Sequence, residues 1–363
     1  MYRTRTVFIG GAGKTNRLGI GGDSPVSIQT MWKEGITDVL HSRDALLSVV
    51  DRIEKLQALG CDILRFAVPD MDSADALIKI AAETTLPLVA DIHFDYKLAL
   101  RCTEGNIAKI RINPGNIGAR DRVEAVVKAC KETGKAIRIG VNTGSLPLDI
   151  AEQVRDGKLS RAEALAETAF RESEILDSFN FDQFIVSMKA SSVAETVDSN
   201  KVFASKCDIP LHIGVTEAGP LIGGIVKSTL AFGALLKEGI GNTVRVSLSS
   251  PMENEVITAR EILREVGLRS GGVKIVSCPR CGRNGFDVHG FINRWEKELL
   301  SMDKNITVAV MGCVVNGPGE GKHADIGITG AGDKVTIFKH GKIVQTVSAD
   351  SADTVFRKEL LSL

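Results

Sequence analysis

The sequence predicts an α/β protein: a (β/α)8 TIM barrel followed by a small α+β domain. Three observations carry that expectation. Eight short β-branched segments recur at regular spacing, amphipathic helical patterns fill the intervals, and near residue 268 the pattern breaks into a β-richer tail. Length agrees, because 363 residues exceed what one compact core of roughly 100–200 residues needs.

The predicted strands are Pro25–Met31, Asp62–Val68, Pro87–His93, Lys109–Gly115, Ala136–Asn142, Phe184–Lys189, Pro210–Thr216 and Thr243–Ser249. Each is about six or seven residues long, a usual strand length. They are near-continuously apolar at their centres, as strands buried on both faces are. Helical patterns cover Ala45–Leu59, Val123–Thr133, Arg161–Leu176, Lys227–Lys237 and Glu253–Val266. In the first, Leu46, Val49, Val50, Ile53 and Leu56 share one stripe. Gly60, Gly134, Gly239 and Gly267 are helix stops. So many regular units favour a closed barrel over an open doubly wound sheet.

Residues 1–22 read as an N-terminal hairpin plugging a barrel domain of residues 1–268. Within it, Gly10-Gly11-Ala12-Gly13-Lys14-Thr15 imitates a P-loop, but that motif needs glycine where Phe8 stands. The connector Arg269-Ser270-Gly271-Gly272 opens a second domain, 269–363. Its predicted elements are a strand (Val273–Ser277), a helix (Asp287–Leu300), a strand (Ile306–Gly312) and a β-rich end (Asp325–Ile328, Lys334–Lys339, Lys342–Thr346).

Composition removes several classes of function. Forty-five Lys+Arg balance 45 Asp+Glu, which argues against an electrostatic grip on nucleic acid or an acidic membrane face. Only 5 % of residues are aromatic, poor material for base stacking. The start lacks a signal-peptide pattern, and the longest apolar run, Ile306 to Val315, is about half a membrane span. A cytoplasmic location is the expectation. Seven cysteines, an odd number, cannot form a complete disulfide framework.

In a barrel of this class the chemistry sits at the carboxyl ends of the strands. Here those ends are polar, often at i, i+2 spacing, which places such pairs on one strand face. They carry Arg65, Asp91 and His93, Arg111 and Asn113, Arg138 and Asn142, Ser187 and Lys189, then Glu217, then Arg245, Ser247 and Ser249. One arginine at a strand end is ordinarily a rim ion pair. Five cations at one mouth (Arg65, Arg111, Arg138, Lys189, Arg245) repel one another unless an anion offsets them. Arginine forks and a lysine point charge suit phosphate oxygens, so the predicted substrate is a small phosphorylated polyanion. Glu217 is the carboxylate placed for acid–base work, or else it neutralises Lys189 or an arginine. Asp91 and His93 could orient one another or bind substrate hydroxyls, while His212 reads as a satisfied core residue.

Cys61, Cys102, Cys130 and Cys207 stand singly beside apolar segments and read as buried thiols. Cys278-Pro279-Arg280-Cys281 and Cys313 form a constellation open to zinc, a redox dithiol or an iron–sulfur cluster. The fourth ligand must be something other than cysteine, with Glu320, His289 and His323 nearby. On these residues alone, a barrel lyase or transferase acting on a phosphorylated or pterin-like substrate, with a structural zinc site, remains an alternative.

Longer runs carry a resemblance over nearly the whole chain. Ala90-Asp91-Ile92-His93-Phe94-Asp95, Arg111-Ile112-Asn113-Pro114-Gly115-Asn116-Ile117-Gly118 and Arg138-Ile139-Gly140-Val141-Asn142 resemble the 4-hydroxy-3-methylbut-2-enyl diphosphate synthase family (GcpE/IspG). So do His212-Ile213-Gly214-Val215-Thr216-Glu217-Ala218-Gly219 and Met311-Gly312-Cys313-Val314-Val315-Asn316-Gly317-Pro318-Gly319-Glu320. The chain resembles the two-domain bacterial form, without the middle insertion of plant-type members.

The resemblance implies an iron–sulfur oxidoreductase of the non-mevalonate (MEP) isoprenoid pathway. It would open the ring of 2-C-methyl-D-erythritol 2,4-cyclodiphosphate reductively, with two electrons. It implies a [4Fe-4S] cluster on Cys278, Cys281, Cys313 and Glu320. It also implies diphosphate binding by Arg65, Arg111, Arg138, Asn142, Lys189 and Ser247, and Glu217 as acid/base. Flavodoxin or ferredoxin would donate the electrons. The family's homodimer, in which one cluster domain caps the partner's barrel, is the implied assembly.

Overall fold

The computed structural model describes residues 2–279, 285–313, 321–331 and 334–363, with Ser145 and Ala331 described in backbone only. Two compact units divide the chain, Met1–Arg269 and Ser270–Leu363. Arg269 belongs to the first because its guanidinium bonds both Asp62 carboxylate oxygens, at 3.0 and 3.3 Å.

The first unit opens with an antiparallel hairpin, β1 (Val7–Ile9) against β2 (Leu18–Ile20), whose turn contains the Gly10–Thr15 run. Eight parallel strands follow: β3 (Ser27–Met31), β4 (Ile63–Ala67), β5 (Leu88–Asp91), β6 (Lys109–Ile112), β7 (Ala136–Asn142), β8 (Phe184–Lys189), β9 (His212–Ile213) and β10 (Thr243–Val244). Their order is β8-β7-β6-β5-β4-β3-β10-β9, and a parallel bridge from Val186 to Leu211 joins the two ends. The sheet therefore closes on itself as a (β/α)8 barrel.

The helices of this unit are α1 (Arg43–Ala58), α2 (Met71–Ala81), α3 (Tyr96–Thr103), α4 (Pro114–Ile117), α5 (Arg120–Thr133), α6 (Leu148–Arg155), α7 (Arg161–Ser178), α8 (Val193–Ala204), α9 (Leu221–Leu236) and α10 (Met252–Glu265). Caps mark their starts: Ser42 accepts from Ala45 N, Asp70 from Ser73 N, and Ser160 with Glu163 forms a reciprocal capping box. Gly134 ends α5 in the left-handed region, φ 67°, where other residues are strained.

The predicted strand 109–115 stops at Ile112, because Asn113 turns the chain by accepting from Gly115 N and capping α4. The predicted strand 87–93 likewise ends at Asp91. β9 and β10 are two-residue strands, not seven, since the ladder becomes irregular where Gly214 meets Arg245. A Cβ on Gly214 would lie 2.8 Å from the Arg245 carbonyl oxygen.

The barrel floor is apolar. Ile63, Val89, Ala136 and Ile185 pack with Val7, Ile9 and Ile20 of the hairpin, all buried. Each such aliphatic contributes on the order of 2 kcal/mol by leaving water. Two residues further along the same four strands stand Arg65, Asp91, Arg138 and Ser187, so the interior turns polar toward the carboxyl ends.

The second unit holds a five-stranded mixed sheet. β11 (Lys274–Ser277), β12 (Thr307–Met311) and β13 (Ile326–Ala331) are parallel, then β14 (Lys334–Lys339) and β15 (Lys342–Ser348) run antiparallel. Helix α11 (Val288–Leu300) and a last helix, Ala352–Leu361, supply Phe291, Trp295 and Phe356 to its core. No helix among the described residues is long and apolar enough to cross a membrane.

Candidate active site

A cavity of about 120 Å3 lies in the barrel interior, lined by Arg65, Asp91, His93, Arg111, Arg138, Gly140, Val141, Asn142, Ser187, Lys189, Thr216 and Arg245. The five cations read from the strand ends thus meet in one place. Asp91 is the one carboxylate of this lining. Its Oδ1 accepts from Arg111 Nη1 at 3.0 Å, and its Oδ2 lies 3.4 Å from Arg65 Nε. Burial alone would raise the Asp91 carboxyl, but Arg65, Arg111 and Arg138 outweigh it and hold it at about 2. It remains ionised and fixes two arginine forks.

The remaining cations are less compensated. Arg138 is 1 % exposed, and its Nε and Nη1 have no hydrogen-bond partner among the described residues. Beneath it Lys109 is fully buried with Nζ likewise unpartnered. Burial, reinforced by the neighbouring arginines, pushes the Lys109 and Lys189 ammonium groups well below their usual range. Unpaired buried cations are costly, and an anion in the cavity offsets that cost. Lys189 Nζ lies 3.1 Å from His212 Nε2, and His212 Nδ1 lies 2.6 Å from Thr243 Oγ1. With Lys189 donating, Nε2 accepts and the ring proton sits on Nδ1, bonded to Thr243. Burial, then Lys189, push the imidazole well below its usual value, so it stays neutral.

Of the other expected residues, His93 and Asn142 also line the cavity, whereas Ser247 and Glu217 do not. His93 is exposed at the rim and lies beyond β5, while Asp91 engages arginines. Asn142 ends β7, and its Oδ1 accepts from Gly144 N at 3.0 Å. Ser247 is half-buried outside the cavity lining, whereas Ser187 is in it. Glu217 is exposed, also outside the lining, with φ 49°, a left-handed conformation that non-glycine residues adopt at a cost.

Two residues escaped the sequence reading. Lys109 stands two positions before Arg111 on one strand, so parity alone places it inside the barrel. Glu255 is buried on α10 and reaches Arg245, Lys33, Thr30 and Leu248 N. Its signal was a carboxylate on the stripe shared by Met252, Ala259 and Ile262.

Cys61, Cys102 and Cys130 are buried, and burial pushes their thiols up to about 12, so they are inert thiols. In the second unit, Cys278 follows β11 and Cys313 follows the neighbouring β12. Cys278 Sγ accepts from Gly312 N at 2.9 Å, and Cys313 is 7 % exposed. Two cysteines on neighbouring strand ends, one of them accepting a backbone N–H at sulfur, form a donor set that fits a sulfur-ligated cluster. Cys281 and Glu320 lie outside the described residues; His289 and His323 are exposed.

Comparison with known proteins gives a concordant result. A model described as the GcpE TIM-barrel domain matches residues 5–260, and one described as the GcpE protein C-terminal domain matches 274–362. A protein of Treponema pallidum (strain Nichols) named 4-hydroxy-3-methylbut-2-en-1-yl diphosphate synthase (flavodoxin) is 58 % identical, covering 100 % of this chain and 92 % of its own. Its namesake in Treponema denticola is 54 % identical, covering 99 % and 98 %. Another, in Clostridium acetobutylicum, is 44 % identical over 96 % and 97 %. With both domains matched and relatives spanning its whole length, the chain belongs to the GcpE family.

Proposed function

We propose that the chain catalyses the reductive ring opening of 2-C-methyl-D-erythritol 2,4-cyclodiphosphate to (E)-4-hydroxy-3-methylbut-2-enyl diphosphate, a cytoplasmic step of isoprenoid synthesis. The observation that carries this reading is the cavity in which five cations surround one carboxylate. The surplus charge matches a diphosphate closed into a small ring.

The reaction consumes two electrons and two protons, breaks the ring C–O bond and releases a hydroxyl as water. Arg65, Arg111, Arg138 and Lys189 hold the diphosphate, with Asn142 and Ser247 as neutral donors. Asp91 keeps the Arg65 and Arg111 forks in register, and His93 faces the substrate hydroxyls from the rim. Glu217 holds the proton that lets the hydroxyl depart. Cys278, Cys281, Cys313 and Glu320 would hold a [4Fe-4S] cluster. When bound, it supplies the electrons one at a time. Flavodoxin, part of the relatives' names, is the donor of this reading, with ferredoxin as the other small carrier. A homodimer in which one cluster domain caps the partner's barrel belongs to the same proposal.

The test is anaerobic reconstitution with iron and sulfide, followed by reduced flavodoxin and the cyclic diphosphate. One linear diphosphate per two electrons is expected, from a brown protein with a four-iron spectrum. A colourless zinc protein that converts nothing would overturn the reading. Glu217→Gln should keep substrate affinity and lose on the order of 100-fold in kcat; unimpaired turnover removes Glu217 from the chemistry.

A further inference from the structure

Glu255 belongs to a helix outside the strand ring, yet its side chain is only 1 % exposed and both oxygens are engaged. Oε1 accepts from Leu248 N at 2.9 Å and pairs with Lys33 Nζ at 2.9 Å. Oε2 accepts from Thr30 Oγ1 at 2.6 Å. Lys33 in turn donates to the carbonyls of Leu248, at 2.8 Å, and Ser250. One carboxylate therefore ties β3, the segment after it and the stretch following β10 into a single knot.

Arg245 borders that knot. Its Nη2 lies 3.7 Å from Glu255 Oε1, too long for a hydrogen bond but close enough for charge to matter in a site with little water. Arg245 also lines the cavity, and its Nε has no partner among the described residues. One edge of the guanidinium thus faces a fixed carboxylate, while the inner nitrogen remains available. A long arginine otherwise has many rotamers, and freezing it beforehand removes an entropic cost from anion binding.

We propose that Glu255 is a positioning residue for substrate binding: it orients Arg245 and the Ser247–Leu248–Ser249 segment toward the diphosphate. The proposal rests on the diphosphate reading of the cavity. Glu255 touches no substrate; it acts through Arg245 and through the Leu248 backbone.

The test is a double-mutant cycle in the holoenzyme. The Kd for the cyclic diphosphate is read by calorimetry with no reductant present, and KM and kcat are read with it. Glu255→Gln keeps an acceptor for Leu248 N and removes the charge facing Arg245. It should weaken binding roughly tenfold, with kcat within about threefold of wild type. Glu255→Gln combined with Arg245→Met should bind about as weakly as Arg245→Met alone. Full additivity, or a Glu255→Gln Kd equal to wild type, overturns the proposal. Should Glu255→Gln fail to fold, Thr30→Val releases Oε2 alone and should weaken binding about threefold; an unchanged Kd there also overturns it. Wild-type holoenzyme that does not bind the cyclic diphosphate sinks the functional reading itself. Wild-type binding with an indifferent Glu255→Gln sinks only this inference.

Discussion

Two buried carboxylates illustrate how neighbours decide what a residue does. Glu172 on α7 aims Oε1 and Oε2 at Gly115 N, 3.1 and 3.2 Å away, where Asn113 Oδ1 also accepts at 3.1 Å. One N–H cannot satisfy three oxygens, which favours a protonated carboxyl. Burial raises Glu172 from 4.5 to about 7, against the opposing pull of the Gly115 amide. Between those values the folded chain holds a proton that the unfolded chain has lost. Stability from this group is therefore complete below pH 4.5 and falls away as pH rises to 7, by about 3 kcal/mol. Glu172→Gln should erase that slope: urea midpoints of wild type and variant should diverge, wild type falling, between pH 5 and 8. Parallel curves would show that Glu172 is ionised throughout. Asp91 is the opposite case, ionised because three arginines demand it. Asp91→Asn should cost about 3–5 kcal/mol by leaving buried cations unpaired. Added inorganic diphosphate should then raise the variant's Tm more than the wild type's, and an equal rise would contradict the charge argument.

At the level of elements, β7 shows how a strand makes room for chemistry. A Cβ on Gly140 would fall 2.4 Å from Arg111 Nε, so glycine is what lets that guanidinium reach Asp91. Gly140→Ala should displace Arg111 and weaken cyclic diphosphate binding about tenfold by calorimetry; unchanged affinity would take Arg111 out of the binding set. β7 and β8 keep the bounds their sequence predicts, because their apolar runs are long and their ladders regular. The strand parity that places Arg65, Asp91, Arg111, Arg138 and Lys189 inside was equally legible, since a period of two leaves no third face. Parity failed where the backbone leaves the strand. Glu217 sits in a left-handed turn, and Ser247 follows a ladder that has already ended at Val244. Helices α2, α3, α6 and α8 escaped the reading: they are 8 to 12 residues long, and α2, α3 and α8 are marked only by the local caps Asp70, Asp95 and Ser192. Glu255 was hidden because its partners come from β3 and the stretch following β10, more than 200 residues and seven residues away.

For the whole molecule, the net charge of zero conceals its distribution. Acidic residues are spread over the surface in ion pairs such as Lys55–Asp51 and Arg171–Asp149, while cations gather in the barrel interior. The hairpin of β1 and β2 adds a constraint on traffic. By packing Val7, Ile9 and Ile20 on the barrel floor, it makes the cationic cavity a blind well. Substrate and product must then queue at one door, the carboxyl ends of the strands. The linear diphosphate should inhibit competitively against the cyclic one, raising KM without lowering the extrapolated kcat; a noncompetitive pattern would mean that product also binds outside this well.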